Sequence, residues 1–310
     1  MNFPGFDAAD FDAFVPKKQG SNAYTLERRR AKDKLVAVVR ALLERHPEAV
    51  EGLDLETTED APSVQNGRRV RAMSAYFVRP ASVRSGLKEL LATNLGAGAG
   101  LFEIAVHQQH AHLELRIDVE GLTVGVRVPP GARVDRENIS EKLALDWARE
   151  DLAELLAALP ADARAGVEGA LTAPTEASVE AFVAWSRSDA TTGPSLIVEQ
   201  IIPRDDASLT EPGWLETGVE TLAQFTPVLR FLAWSKANDH TRVQEVVAKK
   251  VEATKKEAAG LETGTRVTIL SGLFSGRAGY IQEVDHKGKA KVMVGPVTIT
   301  VDRDDLKPAG

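Results

Sequence analysis

Residues 264–307 read GTRVTILSGLFSGRAGYIQEVDHKGKAKVMVGPVTITVDRDDLK. Val267 and Ile269 alternate with Arg266, Thr268 and Leu270, the period-two pattern of a half-buried strand. The glycine-spaced stretch SGLFSGRAG then turns the chain. Tyr280, Ile281 and Val284 resume a strand, and Asp285-His286-Lys287-Gly288 makes a turn. Residues 289–294 form a third strand, Gly295-Pro296 turns again, and Val297, Ile299 and Val301 alternate in a fourth. Four short strands with tight turns in about forty-five residues predict a small, strongly bent β-barrel. Gly279 stands where a strand leaves a tight turn, which calls for a residue tolerant of positive φ or of close backbone approach. Asp302, Asp304 and Asp305 read as a turn with a short capped helical piece.

Residues 266–294 resemble a KOW motif, the SH3-like barrel unit found at the C-terminus of the bacterial elongation factor NusG, in its eukaryotic counterpart and in a large-subunit ribosomal protein. The resemblance is carried by the opening Gly264-x-x-Val267, by Gly272, by the pivotal Gly279 and by the strand Tyr280-Ile281-x-x-Val284. It implies a module that binds RNA, ribosomal proteins or RNA polymerase partners. Leu273-Phe274 is similar to the apolar loop of the NusG type, and Gly276-Arg277 to the basic loop of the ribosomal type. Both RNA and protein therefore stay open as partners. The implied contact residues are Leu273, Phe274 and Arg277, with Gly272 and Gly279 as structural turn positions.

The chain around this stretch has 310 residues, enough for a buried core and two domains. Its 43% hydrophobic content is that of a globular protein. A net charge of −7 argues against nucleic-acid packaging, which calls for a strongly basic chain. There is no cysteine, so disulfides and thiolate metal sites are excluded, and a cytoplasmic location is expected. The opening MNFPGFDAADFDAF has neither a basic region nor a long apolar run, and no window approaches a membrane span.

That same opening carries Phe3, Phe6, Phe11 and Phe14, with Asp7 placed to cap a short helix. The aromatics predict a staple docking the N-terminus on the core, with base stacking as the functional alternative. The pattern FxGFxxxDFDxF also resembles the start of the YktB-like bacterial family, and no site residue is carried over from it. Residues 22–46 predict a helix whose Leu26, Leu35, Val38, Val39, Leu42 and Leu43 recur at helical spacing. Arg28, Arg29 and Arg30 begin the densest basic stretch of the chain, suited either to phosphates or to a solvated face.

Strands are predicted near residues 53–55, over 70–78, and in an antiparallel meander of three runs. Those runs are Phe102-Ile104-Val106, Leu113-Leu115-Ile117 and Leu122-Val124-Val126-Val128, with one face solvated. A helix starts at Ser82, and a loop spans residues 129–137. One helix carries Leu143 through Leu156, residues 161–190 are Ala-rich and helical, residues 196–202 form a strand, and residues 214–234 form a helix. Residues 241–260 predict a partly exposed linker helix whose Lys249 and Lys250 are candidates for a phosphate backbone.

His107, His110 and His112 fall at the first hairpin of the meander. Three imidazoles suffice for zinc or nickel, but His112 alternates out of phase with Leu113 and Leu115. Exposed, neutral hairpin histidines are expected, with no metal and no cofactor. The sequence has no Cys nucleophile, GxSxG elbow, P-loop or HExxH, so no residue is assigned to catalysis.

The expected architecture is an α+β domain over residues 1–240, a helical linker over 241–260 and a KOW-like SH3 barrel over 261–310. The expected function is non-enzymatic binding to RNA, the ribosome or the transcription machinery. The alternatives are a nuclease or metal-dependent hydrolase targeted by the barrel, and a protein–protein adaptor.

Overall fold

A computed structural model describes residues 3–64, 66–92, 105–188, 193–211, 213–241, 263–284, 289–302 and 305–309. The chain is α+β and divides into two compact units, Met1–Thr241 and Arg242–Gly310.

The large unit opens with α1 (Ala8–Asp12), α2 (Pro16–Gln19) and α3 (Thr25–Arg45), followed by β1 (Asp54–Thr57), β2 (Ala72–Val78) and α4 (Ala81–Ala92). Next come β3 (His112–Asp118), β4 (Gly121–Val128), α5 (Arg133–Lys142), α6 (Asp146–Ala157), β5 (Arg164–Val167) and β6 (Ala170–Thr172). It closes with α7 (Glu176–Ser186), β7 (Leu196–Pro203) and α8 (Trp214–Leu232). The seven strands make one antiparallel sheet in the order β1-β2-β3-β4-β7-β5-β6. Alternation puts Met73, Phe77, Leu113, Leu115, Val124 and Val198 in a single core, on which α3 and α8 pack.

Phe3, Phe6, Phe11 and Phe14 are all buried in that core, with Phe6 edge-on to Trp214 at the start of α8. They dock the N-terminus, and none of these four rings is free for a base. Asp7 caps α1 as expected, in a reciprocal capping box with Asp10. Gly5 has a left-handed backbone (φ 73°), and a Cβ there would also stand 2.5 Å from the Leu209 carbonyl oxygen, so the position requires glycine on both counts.

Several sequence expectations are corrected. Val106 lies in a 3-10 turn rather than a strand, while Phe102 and Ile104 fall outside the described residues. The three histidines therefore precede or begin β3 and do not sit on a hairpin. Helix α5 starts at Arg133, inside the expected loop, and α5 and α6 divide what was read as one helix. Residues 164–172 form a hairpin instead of a helix. Gly166 and Gly169 both have positive φ, and backbone pairing of Ala165 and Gly166 with β7 overrides alanine's helix propensity. Leu26 is 68% exposed, because the first turn of α3 reaches beyond the core.

The second face of the sheet is not solvated at its centre. Ser74, Tyr76, His112, Glu114, Thr123 and Glu199 are all buried there. Elsewhere in the unit Arg79 and Asp135 form a buried ion pair, and the Asp135 carboxylate also accepts from the Ala111 N–H (2.9 Å) and the Trp234 N–H (2.8 Å).

The small unit holds β8 (Arg266–Ile269), β9 (Ala278–Val284), β10 (Lys289–Val294), β11 (Val297–Asp302) and β12 (Leu306–Pro308). They form a curled antiparallel sheet in the order β11-β10-β9-β8-β12. The fifth strand, β12, is an addition to the four expected, and its pairing with β8 returns the chain to the start of the unit. Val267, Ile269, Ile281, Ala290, Val292 and Leu306 make its core. Gly279 is required by close approach: a Cβ would meet Val292 Cγ1 at 2.6 Å and the Met293 carbonyl oxygen at 2.7 Å. The left-handed positions are instead Gly272 and Gly276 in the loop before it.

Candidate nucleic-acid interface

The inward alternation of Val267, Ile281 and Val292 obliges their neighbours to face out. Register then aligns Arg266 on β8, Tyr280 on β9, Met293 on β10 and Thr298 on β11 as one row across four strands. Tyr280 is 49% exposed and Met293 38%. A register shift at Lys291/Val292 gives β9 one extra residue opposite β10, which sharpens the bend of the sheet. The row presents a flat aromatic face, a polarisable thioether and a guanidinium side by side. That set is suited to stacking on a base while a cation meets the adjoining phosphate. Lys291 extends the same outer face and pairs with Glu283 at 2.7 Å.

The loop that sequence reasoning favoured is arranged differently. Phe274 is half-buried and packs on the barrel core, so its ring is not a free tip. Arg277 is exposed beside it, and the backbone of Leu273 follows a 3-10 turn, Gly272–Phe274. Sequence reasoning did not single out Tyr280, although the signal for its exposure was present. If Ile281 points inward in a strand, its neighbour Tyr280 must point outward.

The basic run on α3 also divides. Arg28 is fully buried and donates to the carbonyls of Asp60 (2.7 Å), Lys18 (3.1 Å) and Ser21 (3.0 Å) and to Thr25 Oγ1 (3.2 Å). It is a structural clamp, because these bonds tie α3 to α2 and to the segments around Ser21 and Asp60. Arg29 is held by Asp60 at 3.1 Å, and Arg30 is exposed. Lys249 and Lys250 lie outside the described residues.

On the large sheet, His110 and His112 are buried rather than exposed, and His107 is partly so. Alternation does place His112 opposite Leu113, but that face is itself covered. Burial drives His107 down to about 4 and His110 to about 3, and lowers His112 as well, so all three are neutral at pH 7. His112 Nδ1 donates to the His110 carbonyl at 2.9 Å. Among the described residues no group of three His, Asp or Glu side chains is placed to hold a metal ion.

Burial works to raise the Glu114 carboxyl, but Arg127, His112, Arg116 and the Ser74 hydroxyl outweigh it and hold it at about 2. Arg127 Nε donates to it at 3.1 Å and Ser74 Oγ at 2.7 Å. Glu114 is therefore ionised at pH 7, with Arg127 on one oxygen and Ser74 on the other.

No protein-family model matches the chain, and no curated protein is significantly similar to it. Among the described residues no helix is long and apolar enough to cross a membrane.

Proposed function

We propose that the C-terminal unit is a KOW-like module that binds single-stranded RNA on the outer face of its sheet. On this reading the protein acts by binding, at the ribosome or the transcription machinery, and not by catalysis. The observation that carries it is the aligned row of Arg266, half-exposed Tyr280 and Met293. Charge supports it: residues 263–310 carry seven Lys and Arg against five Asp and Glu, while the whole chain carries 38 against 45. The acidic excess is thus confined to the rest of the chain, and the barrel is the part a polyanion would approach.

A second reading rests on a separate observation. Leu270, Tyr280, Met293 and Val297 are all exposed on this one small unit, which also suits an apolar protein partner.

The full-length chain titrated with fluorescent single-stranded RNA at several salt concentrations separates the two. Tyr280→Ala should weaken RNA binding by roughly 5- to 150-fold, the equivalent of about 1–3 kcal/mol per stacked base. Arg266→Gln should lower the slope of log affinity against log salt by about 0.7. Absence of RNA binding by the intact chain at low salt refutes the RNA reading. Salt-insensitive capture of a protein, lost in Tyr280→Ala, establishes the second.

A further inference from the structure

Among the described residues the two sheets have four edges, β1 and β6 on the large one and β11 and β12 on the small one. Three of the four are blunted. Strand β1 has four residues, of which Asp54 and Glu56 are acidic, and Glu56 pairs with Arg84 at 2.8 Å. Strand β6 has only three residues. Strand β12 also has three, and two of them are Lys307 and Pro308. Short length, charge and proline are devices that keep an edge from pairing with another chain. The fourth edge, β11, is six residues long, and its residues 297–301 read VTITV, without charge or proline and β-branched throughout.

The open side of β11 offers both backbone groups and apolar surface. The two-residue turn Gly295-Pro296 makes Val294 and Val297 the first hydrogen-bonded pair with β10. Alternation then turns the N–H and C=O of Thr298 and Thr300 away from β10, toward the open side. The core of the unit is also uncovered there. Ile299 and Val301 pack on it yet are only half-buried, whereas Ile281 and Val292 on the neighbouring strands are fully buried. Val297, at the start of the strand, is 46% exposed. Unmet backbone groups give an added strand its affinity, and alternate side chains give it specificity.

We propose that β11 pairs antiparallel with β11 of a second copy of this chain, across a two-fold axis at Ile299. The occupant follows from the sequence: VTITV reads the same in both directions, so the strand is its own complement, as a two-fold interface requires. In that register Thr298 faces the partner's Thr300, and the two exchange the backbone bonds that the open edge leaves unmade. Ile299 faces the partner's Ile299, and Val297 the partner's Val301. These are the non-hydrogen-bonded positions, where side chains approach most closely, so the two half-open cores join. Asp302 lies outside the paired residues, and no like charges meet. The joined sheet ends at each side in β12, whose Lys307 and Pro308 oppose further addition, so assembly closes at two. Pairing runs in the plane of the sheet and leaves the outer row of Tyr280 and Met293 uncovered, so it does not depend on RNA binding.

The test is sedimentation equilibrium of the full-length protein without RNA, from about 1 μM to about 300 μM, the range expected of a small interface. A reversible monomer–dimer equilibrium is expected. Thr300→Pro removes an N–H that β10 does not use, so it should leave the strand in place and weaken the dimer tenfold or more. Register is tested separately by single cysteines, because the chain has none of its own. Ile299→Cys puts two thiols on the axis, with Cα atoms about 4.5 Å apart, within reach of a disulfide. Mild oxidation should cross-link it into a covalent dimer, while Val297→Cys, which faces the partner's Val301, should stay uncross-linked. The proposal is overturned if the parent is monomeric throughout the range, or if Thr300→Pro dimerises as well as the parent. It is equally overturned if Val297→Cys cross-links as readily as Ile299→Cys.

Discussion

Asp135→Asn is the substitution that most directly tests how the large unit is held together. The change keeps the shape of the side chain and removes its charge. Asp135 is fully buried, pairs with Arg79 and accepts from two backbone N–H groups. Asparagine would leave the Arg79 guanidinium buried without a counter-charge. It would also turn an amide toward either the Ala111 or the Trp234 N–H, donor against donor. Breaking a buried pair from one side costs about 3–5 kcal/mol. That is a large share of the roughly 5–15 kcal/mol that holds a domain folded. With a urea slope of about 3 kcal/mol/M, the midpoint should fall by roughly 1–1.7 M. Tryptophan fluorescence is the right assay, because Trp147, Trp185, Trp214 and Trp234 are the chain's four tryptophans and all lie in the large unit. Adding Arg79→Met to Asp135→Asn should restore part of the loss, since the stranded charge goes with it. A midpoint shift worth under about 1 kcal/mol, or a double variant less stable than Asp135→Asn alone, would refute the reasoning.

Gly279→Ala should open the barrel by about 1–3 kcal/mol, because its methyl has no room beside Val292 and the Met293 carbonyl; faster amide exchange confined to residues 263–309 would show it. Phe274→Ala should destabilise the same unit by up to about 3 kcal/mol, less than for a fully buried ring, and an unchanged exchange pattern would mean that the ring does not pack. Acid should weaken the large unit. His110 has a folded pKa of about 3 against 6.5 in the unfolded chain, so the unfolded state takes up protons first. Stability is full above pH 6.5 and drains as pH falls toward 3, by about 2 kcal/mol at pH 5 from this residue. Glu114 adds a second loss between pH 4.5 and about 2. A urea midpoint that stays flat from pH 7 to 5, or His110→Gln failing to flatten its decline, would count against this.

Much of the fold was legible because period and punctuation agreed. Asp7 ahead of Phe11 and the alternation in β3 and β4 each have one physical reading, and Gly279 ahead of Tyr280 marks a glycine-only position whether for positive φ or for close approach. Three failures share a different cause. The segment around Gly166 is helical by composition and becomes a strand only because β7 offers it a partner. Arg28 looks like its neighbours Arg29 and Arg30, and only tertiary packing decides which of them turns inward. His110 and His112 read as surface residues because their polarity hides the covered face beneath them. The outer row of the barrel could have been read, since it follows from strand parity once Ile281 is placed inside. Its alignment with Arg266 and Met293 depends on register across strands, which no local pattern supplies.

The docking of the N-terminal phenylalanines also constrains how the chain reaches its native state. Phe6 N–H bonds the Leu209 carbonyl at 2.7 Å, and its ring meets Trp214. At the roughly 5–20 residues per second of synthesis, the first segment waits some 10–40 s for those partners to be made. Throughout that interval four phenylalanines have no finished core to enter. The closing contact of the large unit is thus among its most distant in sequence, which favours slow, late completion over a domain assembled as it emerges. A chaperone-dependent lag in folding, shortened when Phe3 and Phe6 are made polar, is what this ordering of events entails.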